Sequence, residues 1–176
     1  MPESLKYRDT VKEAIMQALV ELMKKQPFSR ISIQDIVKRA GVGRSSFYRN
    51  FNSKEDILRL CISRMFDTAE EPDPFSDNNL RDFMISRFQM CKQNKELFLV
   101  LRDNDLLYLL YWQSLRNVKH SVAQHGLYRN PYQAAFFSGA GISVMIQWIE
   151  NGFRESEGEL ADMFIYLMDG HHREKT

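Results

Sequence analysis

The chain has little of what marks a secreted, membrane-bound or sheet-built protein. Its 176 residues include only 2 cysteines; two thiols make no disulfide framework, which suits a reducing compartment. The longest apolar run, Leu106 to Trp112, is far below the roughly 18 residues needed to span a bilayer. The N-terminus, MPESLKYRDTVKEA, carries charges at short intervals and has no apolar h-region. A soluble, cytoplasmic protein without membrane contact is therefore expected. No segment alternates with period two over strand length, and there is no internal repeat or low-complexity tract. Catalytic signals are equally scarce. Gly139-Ala140-Gly141 has no preceding strand and is no dinucleotide loop. His120 and His125, five apart, do not stack on one helix face as metal ligands, and His171-His172 lies in a charged tail. With no Ser/His/Asp or Cys/His grouping in a suggestive context, neither an enzyme, a cofactor nor a metal is expected.

What is present is a core-forming chain with an uneven charge. Apolar residues make up 44% of the sequence, enough to bury a core and to argue against disorder. The net charge of +1 conceals an asymmetry: residues 1–60 hold 12 Lys/Arg against 7 Asp/Glu, and residues 61–176 hold 12 against 16. The positive excess concentrates in residues 26–54, where Arg30, Lys38, Arg39, Arg44, Arg49 and Lys54 face the single acid Asp35. That is a basic patch on a nearly neutral protein.

Helical periodicity runs through the chain. Val11, Ile15, Ala18 and Leu22 predict an amphipathic helix over about 5–25, stopped by Pro27. Ser32 can cap a second helix whose buried stripe is Ile33, Ile36, Val37 and Ala40, and Gly41 can end it in the left-handed conformation. A third short helix follows over about 44–50, with Phe47 facing inward. Ser53 caps a fourth over about 53–69, with Asp56 placed to return the bond. The acidic, proline-containing EEPDPFSDNN reads as a linker over 70–79, between a domain at 1–69 and one at 80–176. Beyond it the pattern predicts helices at about 77–93, 96–103, 105–124, 131–152 and 157–169. The fold class is thus all-α.

A short helix, a glycine turn and a second short helix with a basic, hydroxyl-rich outer face is what insertion into a major groove requires. Arg44 and Lys54 each stand at a helix start, where the dipole disfavours a cation by roughly 0.3–1 kcal/mol; phosphate would offset that cost. The stretch GVGRSSFYRNFNSKEDIL (41–58) closely resembles the signature of the TetR family of transcriptional regulators. The likeness runs through Phe47-Tyr48, Phe51, Ser53-Lys54-Glu55 and Leu58, and ISIQDIVKRA (31–40) matches the family's first motif helix. The resemblance covers about residues 5–65 and implies a three-helix helix-turn-helix DNA-binding domain. It also implies that Arg44, Ser45 and Ser46 face base edges and flanking phosphates, that the Tyr48 hydroxyl bonds a phosphate, and that Lys54 and Ser32 clamp the backbone. Arg49 belongs to the same basic surface. Asn50 stands where many members have His and can also donate to a phosphate.

The second half is dense in aromatics and methionines, as an apolar ligand pocket between helices would need, although the same residues can simply fill a helical core. Tyr108, Tyr111 and Trp112 are the pocket candidates, because each can offer a hydroxyl or indole N–H to a small, largely apolar ligand. In residues 130–153, Ala134, Phe137, Gly141, Val144 and Trp148 form one stripe, expected at a dimer interface, while Phe136, Ala140, Ile146, Ile149 and Phe153 form another. Through Trp148-Ile149-Glu150-Asn151-Gly152 the chain resembles a TetR subgroup with a short C-terminal domain, which implies that this helix and the last one build a four-helix dimer interface. The expected protein is a ligand-responsive homodimer that binds a pseudo-palindromic operator on double-stranded DNA, with repression the expected sign. The alternatives are an architectural or cell-division factor of the same fold that takes no ligand, and, more remotely, a helical protein–protein adaptor.

Overall fold

The computed structural model describes residues 3–67, 80–116 and 131–169; the expected linker over 70–79 and all four histidines lie outside them. The described residues are helical and turn segments with no strand. The chain divides into two compact units, one ending at Asp67 and the other beginning at Thr68.

The first unit holds α1 (Glu3–Met23), a single 3-10 turn (Phe28–Arg30), α2 (Ile33–Ala40), α3 (Arg44–Tyr48) and α4 (Lys54–Asp67). The 3.6-residue period places Val11, Ile15, Ala18 and Leu19 of α1 in the core with Ile36 and Val37 of α2 and Ile57, Leu58 and Ile62 of α4. A reciprocal capping box starts α2: Ser32 Oγ accepts the Asp35 N–H at 3.1 Å, and Asp35 Oδ2 accepts the Ser32 N–H at 2.9 Å. Gly41, at φ +67°, ends the helix. The Val42 N–H then reaches the Val37 carbonyl at 3.0 Å, the closure that a left-handed residue after a helix permits. At α4, Ser53 Oγ accepts the Asp56 N–H at 3.1 Å, but the Asp56 carboxylate accepts from Asn52 rather than from Ser53.

The second unit holds α5 (Leu80–Gln93), α6 (Lys95–Arg102), α7 (described over residues 109–116), α8 (Pro131–Glu150) and α9 (Glu157–Met168). Phe88, Phe98, Trp148 and Phe164 are the largest side chains of its core. A helix starting at 105 is expected from the periodicity, but Asp105 sits at φ +58°. Its N–H and that of Leu106 close on Arg102 and Leu101, at 3.0 and 2.9 Å, so they finish α6 instead. The same closure ends α8: Gly152 lies at φ +77°, and the Phe153 N–H reaches the Trp148 carbonyl at 2.9 Å. A second capping box, Ser156 with Glu159, starts α9. Arg81 then clamps Asp162 with two bonds of 2.6 and 3.1 Å, and Lys92 meets Glu157 at 3.1 Å, which ties α5 to α9.

Both thiols are buried; burial pushes Cys61 up to about 12 and Cys91 upwards likewise, so neither is a thiolate at neutral pH. No helix among the described residues is long and apolar enough to cross a membrane.

Candidate nucleic-acid interface

The outward face of α3 follows from what holds its inner face. Phe47 is fully buried, with Tyr48 edge-on at 5.3 Å and Phe51 at 6.0 Å between ring centroids. With Phe47 fixed inward, the helical step turns Arg44, Ser45, Tyr48 and Arg49 to the surface, and Tyr48 remains 50% exposed. The Arg44 guanidinium stands 5.9 Å above the Tyr48 ring, so the two side chains share one exposed patch. Arg49 donates from Nε to the Ser45 carbonyl at 3.3 Å. Arg30 and Lys38 are exposed beside this motif in the chain. Arg39 differs, because it pairs with Glu21 of α1, whose carboxylate also accepts from Gln17 at 3.0 Å. The hydrogen bond from Arg39 holds the Glu21 carboxyl below its ordinary range.

Three residues expected to hold phosphate are engaged inside the fold. The Ser32 hydroxyl donates to Asp35 at 2.6 Å and accepts from the same residue's N–H, so its hydrogen belongs to the cap. The Asn50 amide turns back to the Ser46 carbonyl at 2.7 Å and its Oδ1 is buried, because the last carbonyls of so short a helix need partners. The Lys54 ammonium donates to the carbonyls of Phe28 and Ile31 at 2.8 and 2.6 Å and lies 4.5 Å from the Phe28 ring centroid. Ser46 is half-buried on the same short helix. The structure thus brings Arg44, Ser45, Tyr48 and Arg49 to one surface and gives Ser32, Asn50 and Lys54 intramolecular partners.

The residues expected around a ligand are also placed differently. Tyr108, Tyr111 and Trp112 are exposed, Trp112 to 62%, because Leu106, Leu107, Leu109, Leu110, Gln113 and Ser114 occupy the inner side of that segment. Tyr111 bonds Ser143 of α8 at 3.0 Å from this outer position. Among the described residues these three side chains lie on an exposed surface of the segment.

Of the expected dimer residues, Trp148 belongs to the subunit's own core and Gly141 is half-buried against its own subunit. Trp148 is 1% exposed, sits edge-on to Phe88 and Phe153, and donates its indole N–H to the Glu155 carbonyl at 3.1 Å. Gly141 faces α5, where an added Cβ would meet Met84 at 3.8 Å. Phe137 and Val144 are half-buried, and the side chain of Ala134 lies outside the described residues. The open face of α8 instead carries Tyr132 and Phe136, the latter 63% exposed, and Gly139, around which a Cβ would meet nothing within 4 Å. On α9, Met163, Tyr166 and Leu167 are exposed. Of the second apolar stripe expected on α8, Phe136 lies on this open face, whereas Ile149 and Phe153 are buried in the core.

Comparison with known proteins agrees with the geometry of the first unit. A family model described as bacterial regulatory proteins, tetR family, matches residues 15–61. A second, described as transcriptional regulator C-terminal region, matches residues 78–170, just over half of the chain. The chain is 35% identical over 57 residues to the HTH-type transcriptional regulator EthR of Mycobacterium tuberculosis, a match covering 32% of this chain and 26% of that protein. It is 39% identical over 51 residues to the nucleoid occlusion factor SlmA of Marinobacter nauticus, covering 29% and 26%. To the uncharacterized HTH-type transcriptional regulator YvdT of Bacillus subtilis it is 39% identical over 46 residues, covering 26% and 24%. The chain thus spans about a quarter of the length of the curated relatives it matches. Read with the exposed basic face of α3, these matches lead to one conclusion: the chain belongs to the TetR family of DNA-binding transcriptional regulators.

Proposed function

We propose that the protein is a ligand-responsive repressor that binds a pseudo-palindromic operator as a homodimer. The observation that carries this reading is the short helix α3, anchored by the buried Phe47 and presenting Arg44, Ser45, Tyr48 and Arg49 together on its outer side. One such helix fits a major groove, where Arg reads guanine edges and hydroxyls reach phosphate. Arg44 and Ser45 are the base-reading candidates, with Ser46 supporting them, and Tyr48 and Arg49 are the phosphate contacts. A single helix reads too few base pairs for useful selectivity, whereas two-fold pairing brings two heads to grooves about 34–36 Å apart.

Regulators of this family typically form homodimers. The exposed apolar residues Tyr132 and Phe136 of α8 and Met163, Tyr166 and Leu167 of α9 supply the surface that a second copy would cover. Regulation by a small molecule is part of the reading because the second unit buries a few polar side chains, Arg87, Gln113 and Ser114, among apolar ones, the mixture that a ligand site between helices uses. The match to a nucleoid occlusion factor covers 29% of this chain and does not favour a division role over transcriptional control.

Sedimentation of the protein with a duplex enriched from a random pool tests the reading. Two chains per duplex are expected, released by a compound that also raises the melting temperature. One chain per duplex at full affinity removes the dimeric reading, and a thermal-shift screen in which no stabilising compound releases DNA removes the ligand.

A further inference from the structure

We propose that the Tyr48 ring positions Arg44 for base reading: it holds the guanidinium in the orientation from which it meets a guanine edge, a role separate from that of the Tyr48 hydroxyl. This rests on the reading of α3 as the helix that enters the major groove.

Arg44 is the first residue of α3 and Tyr48 the last. Residues four apart are neighbours on one side of a helix, and here the guanidinium stands 5.9 Å from the ring centroid. The contact falls where the helix itself gives Arg44 no support. Gly43 before it provides no side-chain cap, and the helix dipole opposes a cation at that end. The face of an aromatic ring carries partial negative charge and attracts the cation. The ring is itself held. It meets Phe47 at 82° between ring planes and 5.3 Å between centroids, and Phe47 is fully buried. A chain of contacts thus runs from the core of the first unit, through Phe47 and Tyr48, to the tip of an exposed arginine.

What this does for recognition follows from the freedom of an arginine. A long side chain left to itself swings to a phosphate of any sequence, and such contacts add affinity without discrimination. A guanidinium resting on a ring keeps its N–H donors at the edge of its plane. Guanine offers O6 and N7 side by side and can take two of them at once. An exposed contact of this kind favours the held arrangement by about two- to fivefold. Arg49, on the same face, is held by other means: its Nε donates to the Ser45 carbonyl at 3.3 Å.

Substitution separates the hydroxyl from the ring. Tyr48→Phe keeps the ring and Tyr48→Leu removes it, and Tyr48→Met is read instead if circular dichroism finds Tyr48→Leu unfolded. Each full-length variant is titrated at one salt concentration against a random duplex and against a duplex that the wild type enriches from a random pool. The titrations are repeated with Arg44→Ala added. Tyr48→Phe is expected to weaken both duplexes equally and to keep the wild-type ratio of the two affinities. Tyr48→Leu is expected to lower that ratio about two- to fivefold, and to lower it no further once Arg44 is replaced. A ratio in Tyr48→Leu equal to that of Tyr48→Phe overturns the proposal, and so does a loss that persists undiminished without Arg44. Failure of the underlying reading gives a different result: the wild type would enrich no duplex, which removes the proposal with it.

Discussion

Gly141 of α8 faces Met84 of α5: a methyl group placed on the glycine would stand 3.8 Å from the Met84 Cε, in ordinary van der Waals contact. The small residue serves close approach within one subunit. Gly141→Glu is therefore expected to push an unpaired charge against Met84, costing several kcal/mol of stability, with melting lowered and no folded monomer released. Phe136→Glu, on the open face, is expected to give monomers with unchanged helical content. Sedimentation and circular dichroism check both, and a Phe136→Glu dimer would place the interface elsewhere.

Asp105 adopts φ +58° where α6 ends, a conformation that costs an L-residue free energy and glycine almost none. Asp105→Gly should stabilise the protein by about 0.5–1 kcal/mol, less than the full αL cost because Asp tolerates the region better than most residues. Thermal unfolding provides the readout, and a lower melting temperature would show that the carboxylate contributes more than the strain removes.

The two capping boxes set an acid limit. Hydrogen bonds from Ser32 hold Asp35 below its ordinary value of 3.8, and those from Ser156 hold Glu159 below 4.5. A carboxylate lowered in the folded state stabilises fully above the unfolded value and loses its contribution as pH falls through the folded one. Asp35→Ala should accordingly be less stable than wild type at neutral pH, with the gap narrowing below pH 3.8. Ser32→Ala should cost about 1 kcal/mol as a lost cap. A gap between wild type and Asp35→Ala that stays constant from neutral to acid pH would refute the ionised cap.

The legible parts of the fold were those written in local chemistry. Ser32 three residues before Asp35, and Gly41 after an apolar stripe, announce the limits of α2 because capping is decided by neighbours. The partners of Lys54 could not be read this way, since Phe28 and Ile31 come near only when the tertiary fold returns the chain. Trp148 shows a different limit: α8 is apolar on two sides, so periodicity cannot tell the core side from the open one. Burial of Trp148 against Phe88 and Phe153 decides it. In the run Leu106 to Trp112 every residue is apolar or aromatic, so composition could not say that the leucines take the interior and Tyr108, Tyr111 and Trp112 the exposed side.

On α3, Arg44→Ala should mainly relax sequence preference, because a bidentate base contact discriminates by about 1–3 kcal/mol. Tyr48→Phe should weaken binding to all duplexes, and Arg49→Ala should also lower the salt slope by about one unit. Titrations against an enriched and a random duplex separate the two behaviours. Arg44→Ala losing equal affinity for both duplexes would move it from base reading to phosphate contact.

The most direct test of the central claim, that α3 of two paired chains reads duplex DNA, is selection of bound duplexes from a random pool followed by sequencing. The account predicts enrichment of two inverted half-sites whose centres lie one helical turn apart, about 34–36 Å, or a multiple of it, with enrichment lost in Arg44→Ala. A pool without enriched sequence, or one enriched in a lone half-site, would contradict it.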